Sequence, residues 1–146
     1  MAEHFSILVV DDESNVADVL NRAAKNAFSE ANIIYTSNYK EAIAYLDALK
    51  GRGPKLVLLD LDLQSEPGGF DFLSLVRHHP QGPLLPIIIL SSYSTEENRA
   101  EAFRRGANAF TSKPFSYIDW QSYVARLRTY WFHTVTIPDF YFDKLD

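Results

Sequence analysis

Four short apolar runs, each closed by a charged or hydroxyl side chain, constrain this chain more than any other feature. Ile7-Leu8-Val9-Val10 runs into Asp11-Asp12, and Leu56-Val57-Leu58-Leu59 into Asp60, with Asp62 two residues on. Ile87-Ile88-Ile89-Leu90 ends at Ser91-Ser92, and Ala109-Phe110-Thr111-Ser112 at Lys113-Pro114. Strands buried on both faces of a parallel sheet read as such continuous runs. In an open α/β sheet, chemistry gathers outside the carboxyl ends of the strands. Asp11, Asp12, Asp60, Ser91 and Lys113 are therefore expected to converge on one small site.

Segments of helical period separate the runs. Ser14 is expected to cap a helix whose apolar face is Val16, Val19, Leu20, Ala23, Ala27 and Phe28. Ile33-Ile34-Tyr35 is the next strand. Asn38 caps a helix facing inward with Ala42, Ile43, Leu46 and Leu49, stopped by Gly51, Gly53 and Pro54. Residues 64–69 read as a loop before a short helix over Phe70 to Arg77. Thr95 caps a further helix that ends at Gly106, and Asn108 to Ser112 form the last strand. From Ser116 a final helix runs through Ile118, Val124 and Leu127. Five βα units predict an α/β fold: a five-stranded parallel sheet with helices on both faces, doubly wound and flavodoxin-like.

At 146 residues, 47% hydrophobic and 23% charged, the chain suits one globular domain. A net charge of −5, with its arginines diluted by glutamates and apolar residues, argues against nucleic acid as a partner. There is no cysteine, hence no disulfide or zinc–thiolate framework. No signal peptide or membrane span is expected, and the cytoplasm is the default location.

Clustered carboxylates repel one another unless protons or a hard cation neutralise them, which makes the strand-end cluster a candidate Mg²⁺ and phosphoryl site. Mg²⁺ takes one or two carboxylates plus phosphate oxygens and waters, which suits Asp12 and Asp60. An aspartate can take phosphate covalently, and Lys113 supplies a compact positive charge beside it. Taken singly, each piece has a plainer reading. An Asp-Asp pair after an apolar run is commonly a turn, and Lys-Pro after a strand commonly a connection.

In strand order, however, these residues resemble a response regulator receiver domain over roughly residues 5 to 130. The resemblance implies that Asp60 accepts a phosphoryl group from a histidine kinase. Asp12 and Asp60 would ligate Mg²⁺ directly, Asp11 largely through water, and Asp62 through its backbone carbonyl. Ser91 would hold a phosphoryl oxygen, Lys113 would pair with the acyl phosphate, and Phe110 stands at the aromatic switch position. The family's habit also suggests a cis Lys113–Pro114 bond.

Some positions depart from the family's commoner pattern. Gln64 stands where a proline is usual, and Gly68 has the usual spacing for the loop-closing glycine but is followed by Gly69. Ser91 replaces the more frequent threonine, and Ser92 a small apolar residue, so which serine faces the phosphate stays open. Spacing from Pro86 favours Ser91. Asp62 and Tyr93 flank the path of an attacking water, which suggests slow self-dephosphorylation.

Residues 1–130 form the expected receiver domain, and 131–146 a C-terminal extension. That tail and the helix end before it carry Tyr130, Trp131, Phe132, Phe140, Tyr141 and Phe142. It resembles the ending of single-domain regulators that serve bacterial phytochrome-type kinases. An aromatic cluster here either tucks onto its own domain or is buried between subunits. A homodimer through the last strand, last helix and tail is the favoured expectation. With too few residues left for a DNA-binding output domain, signalling would pass through protein contacts, without enzymatic turnover. Two rivals remain: a haloacid dehalogenase-type phosphohydrolase using Asp60 and Asp62, and a receiver relative that binds without accepting phosphate.

Overall fold

The computed structural model describes residues 4–141. Five strands alternate with five helices: β1 (Phe5–Val10), α1 (Ser14–Ala27), β2 (Ala31–Thr36), α2 (Tyr39–Ala48), β3 (Leu56–Leu59), α3 (Gly69–His78), β4 (Ile87–Ser91), α4 (Glu96–Arg104), β5 (Ala109–Ser112) and α5 (Tyr117–Leu127). A single 3₁₀ turn, Gly82–Leu84, precedes β4, and a π-helical stretch, Arg128–Thr134, extends α5. All pairings are parallel, in the order β2-β1-β3-β4-β5, so the sheet reverses direction at β1. The expected doubly wound architecture is present. Among the described residues no helix is long and apolar enough to cross a membrane.

The alternation of strand side chains divides the interior into two layers. Ile7, Val9, Leu56, Leu58, Ile88 and Leu90 face α1 and α5. Leu8, Val10, Val57, Leu59, Ile87 and Ile89 face the residues of α2, α3 and α4. Because both sets are buried, the central strands must be apolar at every position. This is the physical origin of the runs.

Helix boundaries follow local chemistry. Asn38, Thr95 and Ser116 each accept a hydrogen bond from a backbone N–H three residues on, as capping requires. Ser14 does not cap α1. Glu13 occupies the cap position and donates its own N–H to Asp11 Oδ1 at 2.9 Å, so the strand-end carboxylate shapes this turn. Ile118 is 72% exposed, and Trp120, Tyr123, Val124 and Leu127 form the buried face of α5 instead. Gly106 closes α4 in the left-handed region with φ 106°, where the missing Cβ removes the steric cost.

The described part of the tail lies against its own domain, at the amino ends of the strands. Phe132 packs on Phe5 and Phe28, with ring centroids 5.9 and 5.7 Å away. The chain then crosses beneath β1 and β3 to bury Phe140 in the opposite layer. Gly53 donates its N–H to the Phe140 carbonyl at 2.7 Å. Lys55 pairs with Asp139 at 2.9 Å, and the Tyr141 N–H reaches Gln81 Oε1 at 3.0 Å. Phe142 lies outside the described residues.

Candidate functional site

The carboxyl ends of β1, β3 and β5 bring Asp11, Asp60 and Lys113 together. Asp11 is 2% and Asp60 4% exposed, and the Lys113 side chain 8%. Lys113 Nζ lies 2.9 Å from Asp11 Oδ2 and 3.2 Å from Asp60 Oδ2. The other Asp60 oxygen accepts the Asp62 backbone N–H at 3.1 Å, which fixes the carboxylate's orientation. Half-buried Asp12 completes a triad: Asp11, Asp12 and Asp60 each offer an oxygen within 4.8 Å of the others. These are hard, oxygen-only donors. They suit a small divalent cation and offer nothing to a soft one.

Burial drives the electrostatics. Desolvation pushes the Asp60 carboxyl up to about 6, with the neighbouring Asp11 charge adding to the rise and Lys113 opposing it. Burial raises Asp11 as well, against its bonds to Glu13 and Lys113. For Asp12, desolvation leads and repulsion from Asp62 and Glu13 follows. The two carboxylates hold Lys113 above its ordinary value although burial works the other way. The site thus carries more negative charge than one ammonium balances, and a bound cation would relieve it.

Ser91 ends β4, fully buried, and its Oγ accepts the Tyr93 N–H at 3.1 Å. Its carbonyl accepts the Lys113 N–H at 2.9 Å, tying β4 to the start of the β5–α5 connection. Ser92 is exposed, so Ser91 is the serine built into the strand end. Both serines and Lys113 line a cleft of about 620 Å³ between α1 and the start of α5. Phe110 is half-buried in the layer shared with α2, α3 and α4.

Three features were not legible beforehand. Lys113–Pro114 is trans; among the described residues the cis bond is Glu66–Pro67. The β5 register and the Lys113 N–H bond to Ser91 already aim the ammonium at both carboxylates, so no cis turn is needed. The glycine required beside Asp60 is Gly69, where a Cβ would sit 2.5 Å from the Asp60 carbonyl oxygen. Gly68 instead occupies the cap position before α3, its N–H donating to Asp71 Oδ2. Glu13 is a further acid 3.7 Å from the Lys113 ammonium, and its only signal in the sequence is adjacency to Asp11-Asp12.

A model of the response regulator receiver domain matches residues 7–125. This chain belongs to that family. The receiver domain is 36% identical over 108 residues to an uncharacterized 14.6 kDa protein in the sodA1 3′ region of Leptolyngbya boryana, covering 74% of this chain and 78% of that one. The phosphorylated cyanobacterial phytochrome response regulator RcpA superposes with a TM-score of 0.81 at 23% identity, covering 92% of this chain and 99% of its own. The Mn²⁺-bound response regulator Rcp1 gives 0.80 at 22%, with the same coverage. At these identities the two structures speak for the fold alone.

Proposed function

We propose that this receiver domain takes a phosphoryl group from a histidine kinase onto Asp60 and signals through protein contacts. The observation that carries this reading is the placement of the Asp60 carboxylate between the Lys113 ammonium and the Asp11–Asp12 pair. An Asp60 carboxylate oxygen attacks the phosphorus of a phosphohistidine. The P–O bond forms as the P–N bond breaks, and the imidazole nitrogen keeps the electron pair and takes a proton from solvent. Asp11, Asp12 and Asp60, with the Asp62 backbone carbonyl, would hold Mg²⁺. When bound, the ion supplies positive charge to the phosphoryl oxygens. Lys113 pairs with the charge that develops on the transferring group, and Ser91 donates its hydroxyl to a phosphoryl oxygen. Phe110, half-buried on the neighbouring strand, is the side chain that would follow Ser91 when it moves.

The likeness of fold to the phytochrome response regulator RcpA supports a phytochrome-type kinase as the partner. The location we favour for this chain is the cytoplasm. A homodimer through β5, α5 and the tail is the assembly we favour. Ile118 and Tyr130, 72% and 52% exposed, offer apolar surface there.

Incubation with acetyl phosphate and Mg²⁺ tests the reading. A stoichiometric, base-labile adduct that is absent from Asp60→Asn is the expected result. Sustained phosphate release would mean a hydrolase, and absence of any adduct a pure binding module. Light scattering tests the assembly, and a monomer at all concentrations would remove it.

A further inference from the structure

Apart from aromatic residues, the buried polar or charged residues among those described are Asp11, Asp60, Ser91 and Thr36. The first three belong to the site above. Thr36 ends β2, at the outer edge of the sheet, and takes no part in the phosphoryl chemistry. Valine would fill this position with the same branched shape and no polar atom to bury, so burial alone does not account for the hydroxyl. Its bonds do. Thr36 Oγ1 donates to the Val9 carbonyl at 2.9 Å, and the Thr36 carbonyl accepts the Asp11 N–H at 3.1 Å. Between these two bonds lies Val10, whose carbonyl accepts the Asp60 N–H at 2.9 Å on the β3 side of β1. One residue of β2 thus brackets the rung by which β1 holds Asp60.

Asp11 is oriented from this point. Its N–H is held by Thr36, its Oδ1 accepts the Glu13 N–H at 2.9 Å, and its Oδ2 meets Lys113 at 2.9 Å. The corner after Thr36 is fixed as well. Glu41 Oε1 accepts the Ser37 N–H at 2.7 Å and the Ser37 hydroxyl at 2.8 Å, while Asn38 Oδ1 accepts the Glu41 N–H at 2.9 Å. The remainder of β2 is half-buried or exposed. A strand end with so little apolar cover opens readily, and a buried hydrogen bond added there resists the opening.

We propose that Thr36 is a positioning residue for the carboxylates that face the cation. Its hydroxyl holds the carboxyl end of β1 to β2, so that Asp11 and Asp12 meet Asp60 at a spacing one divalent ion can bridge. This rests on the Mg²⁺ reading above only for the ligand; the clamp exists without it.

Mn²⁺ binding to the full chain, followed by the electron paramagnetic resonance of the free ion, tests this role. Thr36→Val keeps the shape and removes the hydroxyl, and Thr36→Ser keeps the hydroxyl. Thr36→Val should weaken Mn²⁺ binding about fivefold, the effect of losing a hydrogen bond of ordinary net strength, and Thr36→Ser should bind as the parent does. In the cation-free chain, Thr36→Val should speed hydrogen–deuterium exchange at the Asp11 amide by a similar factor. The Phe5 amide, bonded to the Glu30 carbonyl at the opposite end of β1, should be unchanged. A parent that binds Mn²⁺ while Thr36→Val binds it equally well, or an Asp11 amide as protected in Thr36→Val as in the parent, overturns the role of Thr36 alone. A parent without Mn²⁺ affinity overturns the metal reading, and this role with it.

Discussion

The Lys113 ammonium lies nearer Asp11, at 2.9 Å, than Asp60, at 3.2 Å. The lysine therefore balances a carboxylate pair rather than a single acceptor, and all three groups are almost wholly buried. Removing one member of such a set leaves charge uncompensated in a poor solvent for it. Lys113→Met should cost about 3 kcal/mol in urea denaturation at neutral pH without divalent cation. The loss should shrink in acid, as the orphaned carboxyls protonate. A cost independent of pH would mean that the lysine contributes packing alone.

The raised Asp60 carboxyl sets a pH dependence whose sign can be stated. Its folded value of about 6 lies above the ordinary 3.8, because burial outweighs Lys113. The folded state therefore holds its proton more tightly than the unfolded chain. The resulting stabilisation is full below 3.8 and is lost as pH rises through about 6. Melting temperature without divalent cation should fall across that window. Asp60→Asn should flatten the fall and melt higher than the parent above it. A parent that gains stability between these values would contradict the burial argument.

Tail docking gives a double-mutant cycle. A Cβ on Gly53 would sit 2.3 Å from two carbons of the Phe140 ring, so the glycine leaves room for that ring. Phe140→Ala should destabilise by about 3 kcal/mol, as loss of a buried aromatic does. Gly53→Ala should be costly in the parent and much cheaper once Phe140 is alanine, because the colliding atoms are gone. Additive costs would place the ring elsewhere in solution. Deletion of residues 131–146 would strip Phe132 and Phe140 from the two layers, so an oligomer measurement on it must be paired with a stability measurement.

If Asp60 is phosphorylated, Asp62 and Tyr93 are expected to slow the approach of water to it. Tyr93 is 60% exposed, and Gln64 Nε2 holds Asp62 Oδ2 at 3.2 Å. The Tyr93 backbone N–H donates to Ser91 Oγ, and the Asp62 backbone N–H to Asp60 Oδ1, so both residues adjoin the site. Asp62→Asn and Tyr93→Ala should each shorten the acyl-phosphate half-life measured by phosphate release. Half-lives equal to the parent's would remove both residues from this role.

Legibility differed sharply between the sheet edge and the tail. Asp11, Asp60, Ser91 and Lys113 could be read as convergent because each ends a run that burial on both faces makes apolar. Alternation of strand and helix then leaves a single edge where the runs can end. Strands, doubly wound class and the edge at which the charged groups meet could all be read from the order of residues alone. Folding in three dimensions was needed to set Phe140 over Gly53 and to make Gly69 the glycine beside Asp60. The reason is physical. An apolar run carries its burial in its own composition, whereas an aromatic ring or a glycine becomes specific only when a distant segment closes on it.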